Sequence, residues 1–536
     1  MADVAAPASL NFADVWEMAA DACGDREALV CGEHRRTFAE LEDRANRLAH
    51  HLVGLGVEPG DHVGLYLENC PEYLESMLAC FKVRAVPINV NYRYVAKELH
   101  HLLTDSGVVG VVHGTPQAEL VAAVLPDLDR TPWTLATGAD YEAAVAAASP
   151  ERPVVQGRSG EDRYVIYTGG TTGLPKGVVW RQHDAFYACL GGGDPMRMEG
   201  EVTSPDDLPG RVGDGGITYM TIAPLMHAAA QWTSFMWFFS GNRVVLTQGS
   251  LDPAEVWSTI ERERVNLLTV VGDAVAKPLL DAWDAEPQRW DVSSLYSFSN
   301  GGAPLSAGAK ARILATFPNL LVNDGFGSSE AGIQGSSRIS AADAPAAGSP
   351  VRFDRGSKPI RILDDDDREV APGSGVVGRI VTGGRLPLGY LNDPVKTAAT
   401  FLELDGERWL ITGDLATVAD DGTVDLLGRG STSINTGGEK VHAEEVEGVL
   451  HAHPAVADVL VVGVPDERWG SAVTAVVQPA HGATPTLEEL ATHCRSLLAG
   501  YKVPKHLVLV DAVVRSPSGK ADYRWALDAA VAAVDR

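Results

Sequence analysis

The chain has 536 residues, 45% of them apolar and 7% aromatic, and a formal net charge of -27. That length exceeds what one hydrophobic core organises, so two or more domains are expected. The acidic balance excludes a broad nucleic-acid footprint, which needs a basic face, and leaves any anionic ligand to be met by local donors.

In chain order, Phe38, Leu41, Ala45, Leu48 and Leu52 recur at helical spacing after Thr37, and Gly54 and Gly56 end the pattern. A Pro-Gly-Asp turn at 59–61 leads into a strand over 63–67, a helix over 71–83 and a strand over 85–90. A short strand follows at 163–167, and the apolar run 232–240 is too short to span a membrane and reads as a buried helix. Four successive aspartates, Asp364 to Asp367, repel one another and alternate in direction, which suits a solvated hairpin tip better than a metal site. A second hairpin turn is expected at 420–424. Near Gly428 the character changes: a polar, glycine-bearing stretch precedes a helix over 444–450, strands near 458–464 and 473–477, a helix over 487–498 and a strand near 507–510. Alternating helices and strands predict an α/β fold with largely parallel sheets. We divide it into a large N-terminal domain of layered sheets and helices (1–428) and a small α+β C-terminal domain (429–536).

The six cysteines, Cys23, Cys31, Cys70, Cys80, Cys189 and Cys494, show no CxxC spacing. They read as reduced core thiols, and with no signal-like pattern in residues 1–11 a cytoplasmic location is expected.

The densest chemistry lies in Tyr167-Thr168-Gly169-Gly170-Thr171-Thr172-Gly173-Leu174-Pro175-Lys176-Gly177, which combines four glycines, three threonines and one lysine after a strand. Glycines let backbone N–H groups turn toward an anion, and hydroxyls and an ammonium add donors, as a polyphosphate requires. Pro175-Lys176-Gly177 departs from the Gly-Lys-Ser/Thr ending of a Walker A loop.

This string resembles the phosphate loop of the adenylate-forming superfamily of acyl-CoA synthetases, adenylation domains and luciferases. The resemblance implies that Thr168, Gly169, Gly170, Thr171, Thr172, Gly173 and Lys176 hold the phosphates of ATP. Further segments fall in the family's order over nearly the whole chain. Pro224-Leu225-Met226-His227 resembles the segment whose histidine lies by the acyl pocket; alone, such a histidine is an ordinary core residue. Asn300-Gly301-Gly302-Ala303-Pro304 resembles the turn beside adenine and the acyl carboxylate, where missing Cβ atoms permit close approach. Asp324-Gly325-Phe326-Gly327-Ser328-Ser329-Glu330 resembles the Tyr-Gly-x-Thr-Glu element, with Phe326 for tyrosine, Ser329 for threonine and Glu330 as the implied Mg²⁺ ligand.

Thr412-Gly413-Asp414 resembles the element whose aspartate accepts both ribose hydroxyls, a task suited to two carboxylate oxygens. The family's arginine at the position of Arg429 also touches ribose. Ser431 stands where the hinge is commonly Asp or Lys; a small polar residue can still absorb a backbone rotation. Gly437-Gly438 matches the turn brought to the adenylate for thioester formation, and Lys520, in Arg515-Ser516-Pro517-Ser518-Gly519-Lys520, matches the lysine that completes the adenylation site.

What the resemblance implies is an AMP-forming acid–thiol ligase with a mobile lid domain, ATP, Mg²⁺ and CoA as reactants, and Lys520, His227 and Lys176 as catalytic residues. Thr168-Gly169-Gly170, the segment Gly272-Asp273-Ala274-Val275-Ala276-Lys277-Pro278 and Ser431 look like bacterial fatty-acyl and steroid-side-chain CoA ligases. Small residues near Ala228 and Gly302 suggest room for a long or bulky apolar acid, while Trp232, Trp237 and Phe238 are equally placed in sequence to cap a pocket for an aryl acid. An adenylating enzyme with another acid or acceptor, such as amide formation or nitrite activation for attack by an aryl amine, carries the same ATP-side motifs. A regulator without turnover would be expected to lack Lys520, Glu330 or Asp414, all of which are present. Oligomeric state is open, a homodimer being one arrangement.

Overall fold

The computed structural model describes residues 5–168, 174–303, 305–343, 351–353, 358–436, 439–466, 470–515 and 521–534. Strands drawn from the described residues up to Tyr390 build two twisted sheets with helices between and around them. The larger is eight-stranded, in the order Gly332–Ile339, Leu321–Ser328, Ser297–Asn300, Leu267–Val270, Thr218–Thr221, Arg243–Leu246, Glu27–Cys31, His34–Thr37. Its interior pairs are parallel and only the two edge pairs are antiparallel. The seven-stranded sheet runs Gly389–Tyr390, Lys176–Arg181, Arg163–Thr168, Val86–Asn89, His62–Tyr66, Gly110–His113, Trp133–Ala136. There too the pairs are parallel except at the Arg163 side, where Lys176–Arg181 and Gly389–Tyr390 add antiparallel strands.

Sequence dictates these elements locally. The helix Phe38–Gly54 starts on a capping box, in which the Thr37 hydroxyl accepts from the Glu40 N–H and Glu40 reaches back to the Thr37 N–H. Its stripe Phe38, Leu41, Ala45, Leu48, Ala49 and Leu52 is buried. The helices Phe12–Cys23 and Ala228–Phe239 share one core with residues of both sheets: Phe12 meets Phe81, Tyr164 and Phe239, and Leu29, Trp180 and Tyr219 close the cluster. Lys82 is fully buried in it, and its charge is balanced by Glu17 at 2.7 Å and Glu42 at 2.8 Å.

A third, antiparallel sheet of six strands holds Glu407–Val418 at its centre. The aspartate run forms a hairpin turn, in which Asp364 N–H donates to the Arg368 carbonyl and Asp367 N–H to that of Asp364. The turn at 420–424 joins Glu407–Val418 to Val424–Arg429. After a single turn over Gly430–Thr432, the rest forms a smaller unit with its own core: the hairpin Ser433–Thr436 and Glu439–His442, a sheet of Val456–Asp466, Gly470–Pro479 and His506–Leu509, and helices Ala443–His451, Leu487–Arg495 and Tyr523–Val534.

One expectation shifts. The helix expected over 487–498 ends at Arg495, because its carbonyls are closed by Ser496, Leu497 and Leu498 N–H groups in a tightened last turn. The six cysteines are free thiols, all buried except the half-buried Cys70. Among the described residues no helix is long and apolar enough to cross a membrane.

Candidate active site

In the eight-stranded sheet the parallel strands ending at Thr221, Val270, Asn300 and Ser328 point their carboxyl ends the same way. The segments carrying His227, Gly272, Gly301–Ala303 and Glu330 follow directly, so one edge of one sheet gathers them, the usual position for a ligand crevice in an open α/β sheet.

Asn300 organises this edge. Its Oδ1 accepts from Gly272 N–H at 2.7 Å, while its Nδ2 donates to the Ala303 carbonyl at 2.9 Å and to Asp324 Oδ1 at 2.7 Å. Asp324 is buried, and its other oxygen pairs with Lys310 at 2.5 Å. Both Asp324 oxygens are thus taken by protein donors, so its side chain supports the turn. Gly302 has φ +84°, a left-handed backbone that a Cβ would strain, and Gly325 packs so that a Cβ would lie 3.2 Å from the Asn300 carbonyl. Phe326 stacks on Phe353 with centroids 4.8 Å apart, which fixes the aromatic plane expected beside adenine.

The strands Arg163–Thr168 and Lys176–Arg181 form a hairpin in which Thr168 faces Lys176 across the ladder. Between them in sequence lies the rest of the phosphate-loop string; Gly169, Gly170, Thr171, Thr172 and Gly173 lie outside the described residues, as do Pro304, Gly437, Gly438 and Lys520. Gly177 is forced by space, since a Cβ there would sit 2.8 Å from the Tyr167 ring. Asn89, fully surrounded, exchanges two hydrogen bonds with the Tyr167 backbone and donates to the Met226 carbonyl at 2.7 Å. It ties the phosphate-loop strand to the residue before His227. His227 is half-buried at the N-cap of the helix Ala228–Phe239, where its carbonyl accepts from Gln231.

The two sheets meet beside Glu330. Trp180 Nε1 donates to the Ser329 carbonyl at 3.0 Å, and the Tyr390 hydroxyl donates to Glu330 Oε1 at 2.9 Å. The Tyr390 ring also lies 5.8 Å from Lys176 Nζ, which donates to Asp393 Oδ2 at 2.7 Å. The ring, the ammonium and the two carboxylates form one cluster. Glu330 is one carboxylate on a turn, and among the described residues no group of three or more His, Cys, Asp or Glu side chains is arranged as an all-protein metal cage. A single carboxylate beside a polyphosphate site fits Mg²⁺, which takes one or two protein oxygens and completes its shell with phosphate and water.

Asp414 lies on the central strand of the third sheet, buried, with its N–H on the Thr412 hydroxyl and its backbone opposite Arg429. Arg429 and Ser431 are described by backbone alone. Sequence reasoning missed Asn89, Lys310, Tyr390 and Asp393. The string Gly389-Tyr390-Leu391-Asn392-Asp393 was available, but nothing in its spacing announces that Tyr390 pairs with strand Lys176–Arg181. Trp237 stacks on Tyr219, and Phe238 packs on Trp16 and Phe38 in the shared core.

Residues 16–391 match the AMP-binding enzyme family, and residues 445–520 match the AMP-binding enzyme C-terminal domain. A medium/long-chain-fatty-acid–CoA/3-oxocholest-4-en-26-oate–CoA ligase of Mycobacterium tuberculosis is 45% identical over 530 residues, 97% of this chain and 96% of that protein. A 3-oxocholest-4-en-26-oate–CoA ligase of Rhodococcus rhodochrous is 45% identical over 538 residues, with the same coverage. The structure of ATP-bound MatB from Rhodopseudomonas palustris superposes with a TM-score of 0.81 at 25% identity, over 97% of this chain and 99% of that one.

Proposed function

The chain belongs to the AMP-binding enzyme family, and from that premise we propose that it is an ATP-dependent acyl-CoA ligase for medium- to long-chain or steroid-side-chain acids. The observation that carries the assignment of roles is the Tyr390 cluster, which brings Lys176 and Glu330 to one place beside the edge that holds His227 and the Asn300 turn. Near-full-length identity to fatty-acid and steroid-acid CoA ligases supports the acid class.

A carboxylate is a poor acyl donor because its leaving group would be oxide. In the first half-reaction its oxygen attacks the α-phosphorus of ATP, the bond to the β-phosphate oxygen breaks, and pyrophosphate leaves. The acid is already ionised, so this half needs no general base. Lys176 and the phosphate loop hold the β- and γ-phosphates, Asp414 accepts the ribose hydroxyls, and the Asn300–Ala303 turn orients adenine and the carboxylate. Glu330, steadied by Tyr390, would hold Mg²⁺, which supplies charge neutralisation on the phosphates. Lys520 places a positive charge where two anions meet. Catalysis is then positioning and electrostatic stabilisation. In the second half-reaction the domain after residue 428 rotates about Ser431, withdraws Lys520 and presents Gly437-Gly438; the CoA thiolate attacks the acyl carbon and AMP leaves.

The test is product analysis with ATP, Mg²⁺ and a panel of fatty, steroid-side-chain and aryl acids, each with and without CoA. Acyl-CoA and AMP formed together on a fatty or steroid acid support the proposal. AMP release that ignores CoA and responds to amines or nitrite overturns it.

A further inference from the structure

The helix Gly272–Ala285 starts at the candidate active site and ends away from it, and its first turns carry two charges that the reaction chemistry leaves unassigned: Asp273 and Lys277. Asp273 faces inward. Its Oδ1 accepts from the N–H of Ser306, the N-cap of the helix Ala307–Thr316, at 2.8 Å, and its Oδ2 lies 3.2 Å from Lys277 Nζ. Lys277 faces the C-terminal unit. Its ammonium donates to the Ala457 carbonyl at 2.7 Å and lies 3.2 Å from His451 Nδ1.

The chain of contacts continues. His451 Nε2 is 3.5 Å from Asp458 Oδ1, and Asp458 grips Arg515 through two hydrogen bonds of 2.7 Å each. Arg515 stands five positions before Lys520 in the sequence. Asp273 also attracts Arg515 directly. A neutral His451 with its proton on Nε2 satisfies both sides at once: Nδ1 accepts from Lys277 and the Nε2–H faces Asp458. Burial first, and the adjacent Lys277 ammonium second, hold the imidazole at about 4, which keeps it in that neutral form.

We propose that Asp273 and Lys277 are positioning residues for the adenylation half-reaction: they seat the C-terminal unit, through His451 and Ala457, against the segment 300–306. The inference rests on the ligase reading above. The seat joins the segment proposed to orient the carboxylate to Arg515, which stands five positions before Lys520 in the sequence. Charged groups on a partly buried interface fix register through paired hydrogen bonds, and losing one donor there loosens the geometry more than the fold.

The experiment separates the half-reactions. Acid-dependent exchange of pyrophosphate into ATP reports the first, and acyl-CoA formation from synthetic acyl-AMP plus CoA reports the second. Lys277→Ala is expected to slow exchange by about 10-fold or more, while the second half-reaction stays within about 2-fold of wild type. Lys277→Arg, which keeps the donor, is expected to recover most of the exchange. His451→Phe, made from the other side of the interface, is expected to reproduce the same split. An equal fall in both half-reactions, or no fall in exchange for either Lys277→Ala or His451→Phe, overturns the proposal. Wild-type protein that exchanges pyrophosphate with no acid in the panel overturns the ligase reading itself, and the proposal with it.

Discussion

The Tyr390 hydroxyl donates to Glu330 Oε1 at 2.9 Å, so the carboxylate assigned to the metal is oriented by a strand of the other sheet. Tyr390→Phe keeps the ring near Lys176 and removes the donor. We expect the Mg²⁺ concentration for half-maximal activity to rise by about 10-fold, the size of effect found for groups that orient metal ligands. Glu330→Gln should slow adenylation by about 10²-fold or more. Titrating Mg²⁺ against initial rate checks both; a Glu330→Gln enzyme with unchanged Mg²⁺ dependence contradicts the assignment.

Lys310 and Asp324 form an ion pair in which both side chains are almost completely buried. Removing one partner leaves a buried charge uncompensated. Lys310→Met is therefore expected to cost about 3–5 kcal/mol of stability, read as a lower denaturation midpoint. Lys310→Met with Asp324→Asn should regain part of that loss, because the orphaned charge is gone and Asn300 can still donate to the amide oxygen. A double variant no more stable than the single one would show that the pair acts through packing rather than charge.

Much of the fold was legible in the sequence because local chemistry and burial agree. Thr37 with Glu40 announces a capped helix, and the Phe38-to-Leu52 stripe announces its buried face. The eleven-residue string from Tyr167 was legible because its composition has few uses. What escaped were residues whose roles depend on long-range pairing. Asn89 bridges Tyr167 and Met226 only because strands distant in sequence lie side by side. Tyr390 and Asp393 reach Lys176 only through sheet topology. The aromatic run 232–240 was legible as a buried helix, while its sequence could not tell that Phe238 fills the core that Trp16 and Phe38 share.

Lys520→Ala should slow adenylation by about 10²–10³-fold, the scale for losing one fixed donor to developing charge. Thioester formation from supplied acyl-AMP should be nearly spared. If both half-reactions fell together, the assignment of Lys520 to the first alone would be wrong.

The interface adds a pH dependence. His451 is faced by Asp273 and Lys277 from one helix, by Asp458 from a strand and by the field of Arg515. Its folded value, about 4, lies below the ordinary 6.5, so the folded state binds fewer protons than the unfolded one. Its contribution to stability is full above 6.5 and is lost as pH falls toward 4. The melting-temperature difference between wild type and His451→Phe should therefore shrink on acidification through that window. A difference that stays constant from pH 7 to about pH 4 would show that His451 does not titrate there.

The most direct test of the account follows oxygen. With acid labelled by ¹⁸O in its carboxylate, the enzyme, ATP, Mg²⁺ and CoA, an acyl-adenylate route transfers one labelled oxygen to AMP and none to pyrophosphate, with one acyl-CoA formed per AMP. Mass spectrometry of the nucleotide reads this in a single reaction. Labelled AMP is the predicted result; unlabelled AMP, or ADP with labelled phosphate, would contradict attack of the carboxylate on the α-phosphorus.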